Sequence, residues 1–249
     1  MRRSLLPASV LGVCLAVGVS PAQAFIYGDN TLEFDTGDVG SSFDVEWLVP
    51  AGFVSALPID LSAEATFTLK SYSGDTFELE VDIENTTATT YDDGGTLSST
   101  QANILSFGFG VDPDATSVAI SGGSFFTTAE VQTGPQNFPG GFKDIDVCVY
   151  TAGCSGGNVN TGLVAGGTDT ITLAVTGNFN GGTVMLGDFP LKFQGQWGSF
   201  EPGGGVCEPG GDCEPPVPPN SVAEPETLGL FALAGMVLAT VRRRRELRA

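Results

Sequence analysis

Acidic side chains dominate the chemistry that this sequence could perform, and histidine is absent from it. The chain has 29 aspartates and glutamates, 10 lysines and arginines, and no histidine. Without histidine, a Ser-His-Asp triad, a Cys-His dyad and a histidine-ligated metal site are excluded. Two carboxylates acting as in a glycoside hydrolase stay possible, because acids are plentiful. No pair is distinguished by its spacing, so the sequence predicts no catalytic residue, no cofactor-binding residue and no enzyme.

Three acidic segments are candidates for calcium ligands. Along one predicted strand, four acids that we call the acidic ladder alternate with apolar residues: Glu78, Glu80, Asp82 and Glu84. Neighbours on one face of a strand lie about 6.8 Å apart, whereas calcium needs six to eight oxygens at about 2.4 Å. The pair Asp92-Asp93 near Asn85, and Asp112-Pro113-Asp114, could add loop ligands, but neither has the D-x-D-x-D-G spacing. The sequence therefore assigns no metal ligand and leaves calcium as an open alternative.

The cysteines form two pairs with the same spacing. Once a predicted signal peptide containing Cys14 is removed, the remaining pairs are Cys148-x5-Cys154 and Cys207-x5-Cys213. In an oxidising compartment this even number indicates two disulfides. The absence of histidine and the wide spacing disfavour a zinc site. The two local pairings are favoured because each closes a short loop, and bridges between the two pairs remain the alternative.

The charge balance excludes one class of partner. Between Phe25 and Asn220 the only basic residues are Lys70, Lys143 and Lys192, and the whole chain has a formal net charge of −19. Binding to a nucleic-acid backbone needs clustered lysine and arginine, so nucleic acid is excluded as a partner. Strong negative charge favours solubility and a loose attraction for divalent cations.

Residues 1–24 have the pattern of a secretory signal peptide. Arg2-Arg3 precede an apolar stretch over residues 5–19, and Ala22-Gln23-Ala24 supplies the small residues of a cleavage site. We expect the Sec translocon to export the chain and signal peptidase to cleave it after Ala24.

Residues 223–249 combine a proline-containing motif, an apolar run and a basic tail. Ala223-Glu224-Pro225-Glu226 leads into a predicted transmembrane helix over residues 227–241, and Arg242-Arg243-Arg244-Arg245 opens the tail of residues 242–249. Fifteen residues measure about 22 Å as a helix, short of the roughly 30 Å hydrocarbon core, so this span is marginal. Arginines outside both apolar segments keep both tips cytoplasmic and predict export of everything between them.

This C-terminal segment resembles the sorting signal of PEP-CTERM proteins, bacterial surface proteins that an exosortase processes. Glu224 and Pro225 match the end of the Pro-Glu-Pro motif, the apolar run and arginines follow in order, and Ala223 replaces the family's usual first proline. Three further segments are similar to the cistern-type subgroup: Cys148-Val149-Tyr150, Cys154-Ser155-Gly156-Gly157 and Thr170-Ile171-Thr172-Leu173. The resemblance implies transient anchoring in the inner membrane, then delivery to the cell envelope, cell surface or extracellular matrix. It also implies a role in exopolysaccharide and biofilm formation. An ordinary tail anchor is the alternative.

Residues 25–200 predict an all-β body, a single antiparallel β-sandwich. Short segments with a two-residue apolar period are separated by glycine-rich turns, which is typical of sandwiches. Jelly-roll and immunoglobulin-like connections both fit. In the clearest hairpin, a three-residue turn at Ser73-Gly74-Asp75 sets Leu69 opposite Leu79 and Lys70 opposite Glu78.

Residues 201–222 are rich in proline and glycine and carry little apolar bulk. Such a segment cannot bury enough surface to fold, so it predicts a disulfide-containing linker, or stalk, between the body and the sorting signal.

Two functions from different classes fit these observations. The first is a non-enzymatic exported protein of the surface or extracellular matrix. The second is a secreted carbohydrate-binding module or a two-carboxylate glycoside hydrolase. Trp47, Trp197 and Tyr72 could stack on a sugar, but we expect them to pack in the core or at its rim.

Overall fold

The described part of the chain is built from β-strands. The computed structural model describes residues 25–28, 30–54, 57–91, 94–133, 138–211 and 213. Within these residues there are three short 3-10 turns, Thr36–Asp38, Pro139–Gly141 and Val159–Thr161, and no α-helix. The strands are β1 (Ile26–Tyr27), β2 (Thr31–Phe34), β3 (Ser42–Val49), β4 (Leu61–Ser73), β5 (Thr76–Glu84), β6 (Asn103–Asp112), β7 (Ala115–Gly122), β8 (Thr128–Val131), β9 (Val147–Tyr150), β10 (Thr168–Gly177), β11 (Val184–Gly187), β12 (Leu191–Gly195), β13 (Gly198–Phe200) and β14 (Gly205–Cys207).

Several sequence predictions lie outside the described residues. They are the signal peptide (1–24), the sorting motif, the transmembrane run (227–241), the basic tail (242–249) and residues 212 and 214–222 of the linker. Of the residues that are described, none belongs to a helix with the length and apolar character needed to cross a membrane.

Two antiparallel sheets face each other, which confirms the all-β prediction. One sheet has six strands in the order β14-β3-β4-β5-β10-β7. The other has eight strands with β6 at its centre: one edge of β6 pairs with β12 and then β11, and the other edge pairs with β9, which pairs with β8. β2 and β1 continue the sheet beyond β11, and β13 lies beyond β12.

Aromatic side chains from both sheets form one core between them. Phe67 of β4 stacks on Phe43 of β3 with ring centroids 4.9 Å apart. Across the sandwich, Phe67 meets Phe107 and Phe109 of β6 edge-on at 6.4 and 6.2 Å. All four side chains are fully buried. The alternation of apolar residues along each strand therefore decides which face of each sheet turns inward.

The β4–β5 hairpin has the predicted pairing of Leu69 with Leu79, but a different turn. Ser73 pairs with Thr76, so the predicted three-residue turn is wrong and the turn has two residues, Gly74-Asp75. A β-bulge at Lys70 absorbs the extra residue, because the register shifts between Leu69 and Ser71. Lys70 consequently reaches Glu80 rather than the predicted Glu78.

β6 is buried on both faces, which its alternating pattern did not predict. The outer face is covered by a small second cluster around Phe138, Ile145 and the Cys148–Cys154 disulfide. A Cβ added at Gly108 would lie 2.9 Å from Cγ2 of Ile145 and 3.3 Å from the ring of Phe138. Glycine in β6 thus lets this covering segment approach the sheet closely.

The folded body continues past Phe200, the predicted end of the β-sandwich. β14 adds to the edge of the six-stranded sheet, with Gly205 opposite Glu46 of β3. A Cβ at Gly204 would lie 2.7 Å from Trp47 Nε1, so glycine is needed for this close approach. Cys207 pairs with Cys213, which is buried, and the other disulfide is also local. The start of the predicted linker is therefore part of the sandwich, and its low apolar content concealed this.

Candidate functional site

On the outer surface of the six-stranded sheet, acidic side chains are concentrated on three neighbouring strands, β3, β4 and β5. β3, β4 and β5 turn their apolar residues inward, so their alternate acids all point outward. We call this surface the acidic face; it comprises Asp44, Glu46, Glu64, Glu78, Glu80, Asp82 and Glu84. Five of these acids line a shallow depression of about 390 Å³, together with threonines of β4 and β10.

Three glutamates lie side by side across the acidic face. Glu64 of β4 is paired with Glu46 of β3 on one side and with Glu84 of β5 on the other. Side chains directly opposite in an antiparallel pair have Cβ atoms about 5 Å apart, and like charges at this distance repel. We call this set the glutamate row. We expect like charges in this register to lower the stability of the sheet.

The neighbouring rows of the acidic face are compensated by hydroxyl groups and one cation. Thr66 Oγ1 donates a hydrogen bond to Asp44 Oδ1 at 2.7 Å, and Thr170 Oγ1 donates to Asp82 Oδ1 at 2.6 Å. Lys70 Nζ donates to Glu80 Oε1 at 3.0 Å. These contacts hold the aspartates and Glu80 in place.

The acidic face can attract cations but does not form a chelating site. Across the described part of the chain, no three acidic or cysteine side chains converge so that they could hold a metal ion. A sheet spaces its carboxylates several ångströms apart, so a divalent cation would be held loosely through water. The chemistry that this arrangement supports is hydrated, long-range attraction of cations and repulsion of anions.

A second group of acids lies where β6, β11 and the segment before β9 meet. We call it the aspartate cluster: Asp112, Asp114, Asp144, Asp146 and Asp188. These residues line a depression of about 280 Å³. Asp112 and Asp114 are the residues that the sequence offers as potential loop ligands for calcium, and the other three acids join them only in the fold. Asp144 and Asp188 have positive φ angles of 57° and 47°, a conformation that aspartate adopts more readily than most residues.

Burial makes two members of the aspartate cluster harder to ionise. Burial raises the pKa of Asp146, and the charges of Asp114 and Asp144 add to this, while a hydrogen bond of 2.7 Å from the Val111 amide to Asp146 Oδ2 opposes it. Burial likewise raises the pKa of Asp188, with Asp144 as the second cause. Asp146 and Asp188 are therefore the carboxyl groups of this cluster best suited to retain a proton.

Trp47, Trp197 and Tyr72, the candidates for stacking on a sugar, do not form a common platform. Trp47 is buried in the core, where its Nε1 donates to the carbonyl oxygen of Phe189 at 2.7 Å. Tyr72 is also buried, and its hydroxyl donates to the carbonyl oxygen of Gly182. Trp197 packs edge-on against Tyr91 at 6.2 Å. The expectation of core and rim packing is confirmed.

The remaining predicted residues fall into two groups. The sorting-motif residues, the cleavage-site residues Ala22 and Ala24, and Asp92-Asp93 lie outside the described residues. The cysteines lie in two separate parts of the molecule: Cys148–Cys154 covers β6, and Cys207–Cys213 closes the edge beside β3.

Comparison with known proteins gave no match: no family model, no curated protein and no solved structure corresponds to this chain.

Proposed function

We propose that this chain is an exported, non-enzymatic protein of the bacterial surface or extracellular matrix, sorted by an exosortase through its C-terminal segment. The observation that carries the proposal is the order of features: a signal peptide, a disulfide-containing acidic β body, a proline-rich linker and a PEP-CTERM-like tail. Disulfides form and persist outside the reducing cytoplasm, so both pairs support export.

The edge of the sandwich where the described chain ends suggests how the body is presented. The loop closed by Cys207 and Cys213 is tied to β3, because the Gly210 amide donates to Asp44 Oδ2 at 3.0 Å. The linker therefore leaves from the sheet that carries the acidic face. In the proposed arrangement the linker separates the body from the membrane, and the acidic face is displayed to the exopolysaccharide and its counter-ions.

The test is intact-mass analysis of the protein recovered from a host that contains an exosortase. We expect the mature chain to begin at Phe25 and to have lost everything after about Glu226. Replacing Glu224 and Pro225 by alanine should block removal of the tail without blocking export. Ser221→Ala, just before the motif, is the matched control and should be processed normally. Recovery of the entire chain from the inner membrane, with Arg244 present, would show an ordinary tail anchor instead.

The alternative function, a carbohydrate-binding module or glycoside hydrolase, is favoured by one feature only. The aspartate cluster lines a depression and contains two carboxyl groups with raised pKa values, Asp146 and Asp188. A zymogram and a glycan array would test this alternative directly. Turnover that disappears in Asp146→Asn or Asp188→Asn, while folding is retained, would replace the surface-protein proposal with the hydrolase.

A further inference from the structure

β7 forms one edge of the six-stranded sheet and carries no charge. Its residues, Ala115–Gly122, pair with β10 alone, and the sequence Ala-Thr-Ser-Val-Ala-Ile-Ser-Gly contains neither an acid, a lysine nor a proline. Natural sheets protect such edges with charges, prolines or a covering segment, because an open edge pairs with other chains. In a chain with a net charge of −19, an eight-residue strand without any charge is an exception.

The register of β7 decides which of its backbone groups point away from the sheet. The Gly123 amide donates to the Thr170 carbonyl oxygen at 2.9 Å, and Ser121 lies opposite Thr172. Residues of an antiparallel strand alternate between facing the partner strand and facing away. Val118 and Ile120 therefore direct their N–H and C=O groups outward. Among the described residues, none forms a hydrogen bond with these outward groups.

The core is also incompletely covered at this edge. Val118 and Ile120 lie opposite Val175 and Leu173 of β10, which are fully buried. Val118 and Ile120 themselves are only partly buried, although they belong to the same inner face. β8 runs nearby in the other sheet without pairing with β7. The edge thus offers both unpaired backbone groups and partly exposed apolar side chains.

We propose that β7 pairs antiparallel with β7 of a second copy of this chain, about a two-fold axis at Ala119. In this register Val118 lies opposite Ile120 of the second copy, and Ser117 lies opposite Ser121. The outward backbone groups of Val118 and Ile120 then bond each other, while Ala119 faces its own symmetry mate. The six-stranded sheets of the two copies become one continuous sheet, and the interface is isologous.

In this register β7 matches its symmetry mate in the type of its side chains, and no charge is set against a like charge. The two-fold register sets apolar residues against apolar residues on the inner face and small hydroxyl residues against each other on the outer face. A shift by one residue would mix the two faces. The nearest acid before the strand, Asp114, would lie opposite Ser124 of the second copy, so no acid meets another acid. The opposite edge of the sheet is β14, which is tied by the Cys207–Cys213 loop.

Cysteine cross-linking of the full chain, exported with its own signals, tests both the pairing and its register. Ala119→Cys places two thiols in a non-hydrogen-bonded antiparallel pair, where Cα atoms are about 4.5 Å apart, within the range for a disulfide. Ser121→Cys is the matched control on the same strand, because its symmetry mate would be about 13 Å away. Both positions are exposed, so neither change disturbs the core.

We expect Ala119→Cys to form a disulfide-linked dimer in non-reducing gels, and Ser121→Cys to remain at least tenfold less cross-linked. Peptide mapping should show that the two native disulfides are intact in both variants. Ala119→Glu, which sets two carboxylates against each other at the axis, should shift the uncross-linked protein to monomer by analytical ultracentrifugation, whereas Ala119→Ser should not. Equal cross-linking of both cysteine variants, or cross-linking of neither, overturns the proposal, as does a dimer that persists in Ala119→Glu.

Discussion

Reversing the charge at the centre of the glutamate row should stabilise the protein. Glu64 lies between Glu46 and Glu84 in the sheet register, so a single change affects two cross-strand pairs. Glu64→Gln removes both repulsions, and Glu64→Lys converts both into attractions. The side chain of Glu64 points to solvent, so neither change disturbs the core.

The magnitude follows from the spacing of the strands. Two unit charges about 5 Å apart in water interact by roughly 0.8 kcal/mol, and physiological salt screens this to about 0.4 kcal/mol. Two pairs give a gain of about 0.8 kcal/mol for Glu64→Gln and about 1.6 kcal/mol for Glu64→Lys. At 1 M salt the screening length falls to about 3 Å, so most of the gain should disappear.

Urea denaturation of the wild type and both variants, at low, physiological and high salt, measures this effect. Glu33→Lys is the matched control, because Glu33 lies opposite Ile26 and Met185 and has no acid across either strand. We expect little change for Glu33→Lys at any salt concentration. A gain for Glu64→Lys that is no larger than for Glu64→Gln, or that does not fall with salt, would refute the view that direct repulsion acts in this row.

Three further changes test other parts of the structure. Burial raises the pKa of Asp188 above its usual 3.8, so ionising this carboxyl group costs more in the folded state than in the unfolded state. The contribution of Asp188 to stability is therefore lost as the pH rises through its raised pKa. Asp188→Asn should therefore stabilise the protein at pH 7 in urea titrations, and the gain should vanish below pH 3.8. Burial, assisted by neighbouring carboxylates, raises the pKa of Tyr27 to about 12 from 10.0, so the unfolded state ionises first. The wild type should lose stability between these values, and Tyr27→Phe should lose less, as followed by circular dichroism; burial also raises the pKa of Tyr72 and of Tyr150, so part of the loss remains. A Cβ at Gly195 would overlap the carbonyl oxygen of Gln101, so Gly195→Ala should lower the free energy of unfolding by about 1–3 kcal/mol.

The hairpin of β4 and β5 shows what an alternating pattern can and cannot predict. The pattern required Leu69 opposite Leu79, since any other pairing would mix the two faces, and the structure has this pair. The turn was wrong because a bulge adds one residue to a strand without changing the faces beyond it. The residue that bulges, Lys70, is the polar position where an extra residue displaces no core side chain.

The aspartate cluster was missed because its members come from three distant parts of the chain. Asp112 ends β6, Asp144 and Asp146 precede β9, and Asp188 lies between β11 and β12. Only the pairing of β6 with β11 and β9 brings them together, and strand order is not encoded in local periodicity. The positive φ angle of Asp188 is a tertiary consequence of the same junction, where β11 and β12 share one edge of β6.

The outer surface of the six-stranded sheet changes character from one edge to the other, and this change relates the acidic face to the proposed dimer. β5 displays four acids, β10 displays threonines and one alanine, and β7 displays only serine and alanine between Ser117 and Ser121. In the proposed dimer, the nearest acid-bearing strands of the two copies, both β5, are separated by five strand spacings, about 24 Å. That distance is roughly three screening lengths in physiological salt, so the two acidic faces scarcely repel each other across the axis. The acids are concentrated on β3, β4 and β5, where they keep the outer surface hydrated, and β7 carries no charge. Because β7 is also the open edge of the sheet, this edge is the one that can associate with a second copy. Dimerisation should consequently persist in physiological salt and weaken as the salt falls towards about 0.01 M, where the screening length grows to roughly 30 Å. Association through an edge nearer to the acidic ladder would require higher salt.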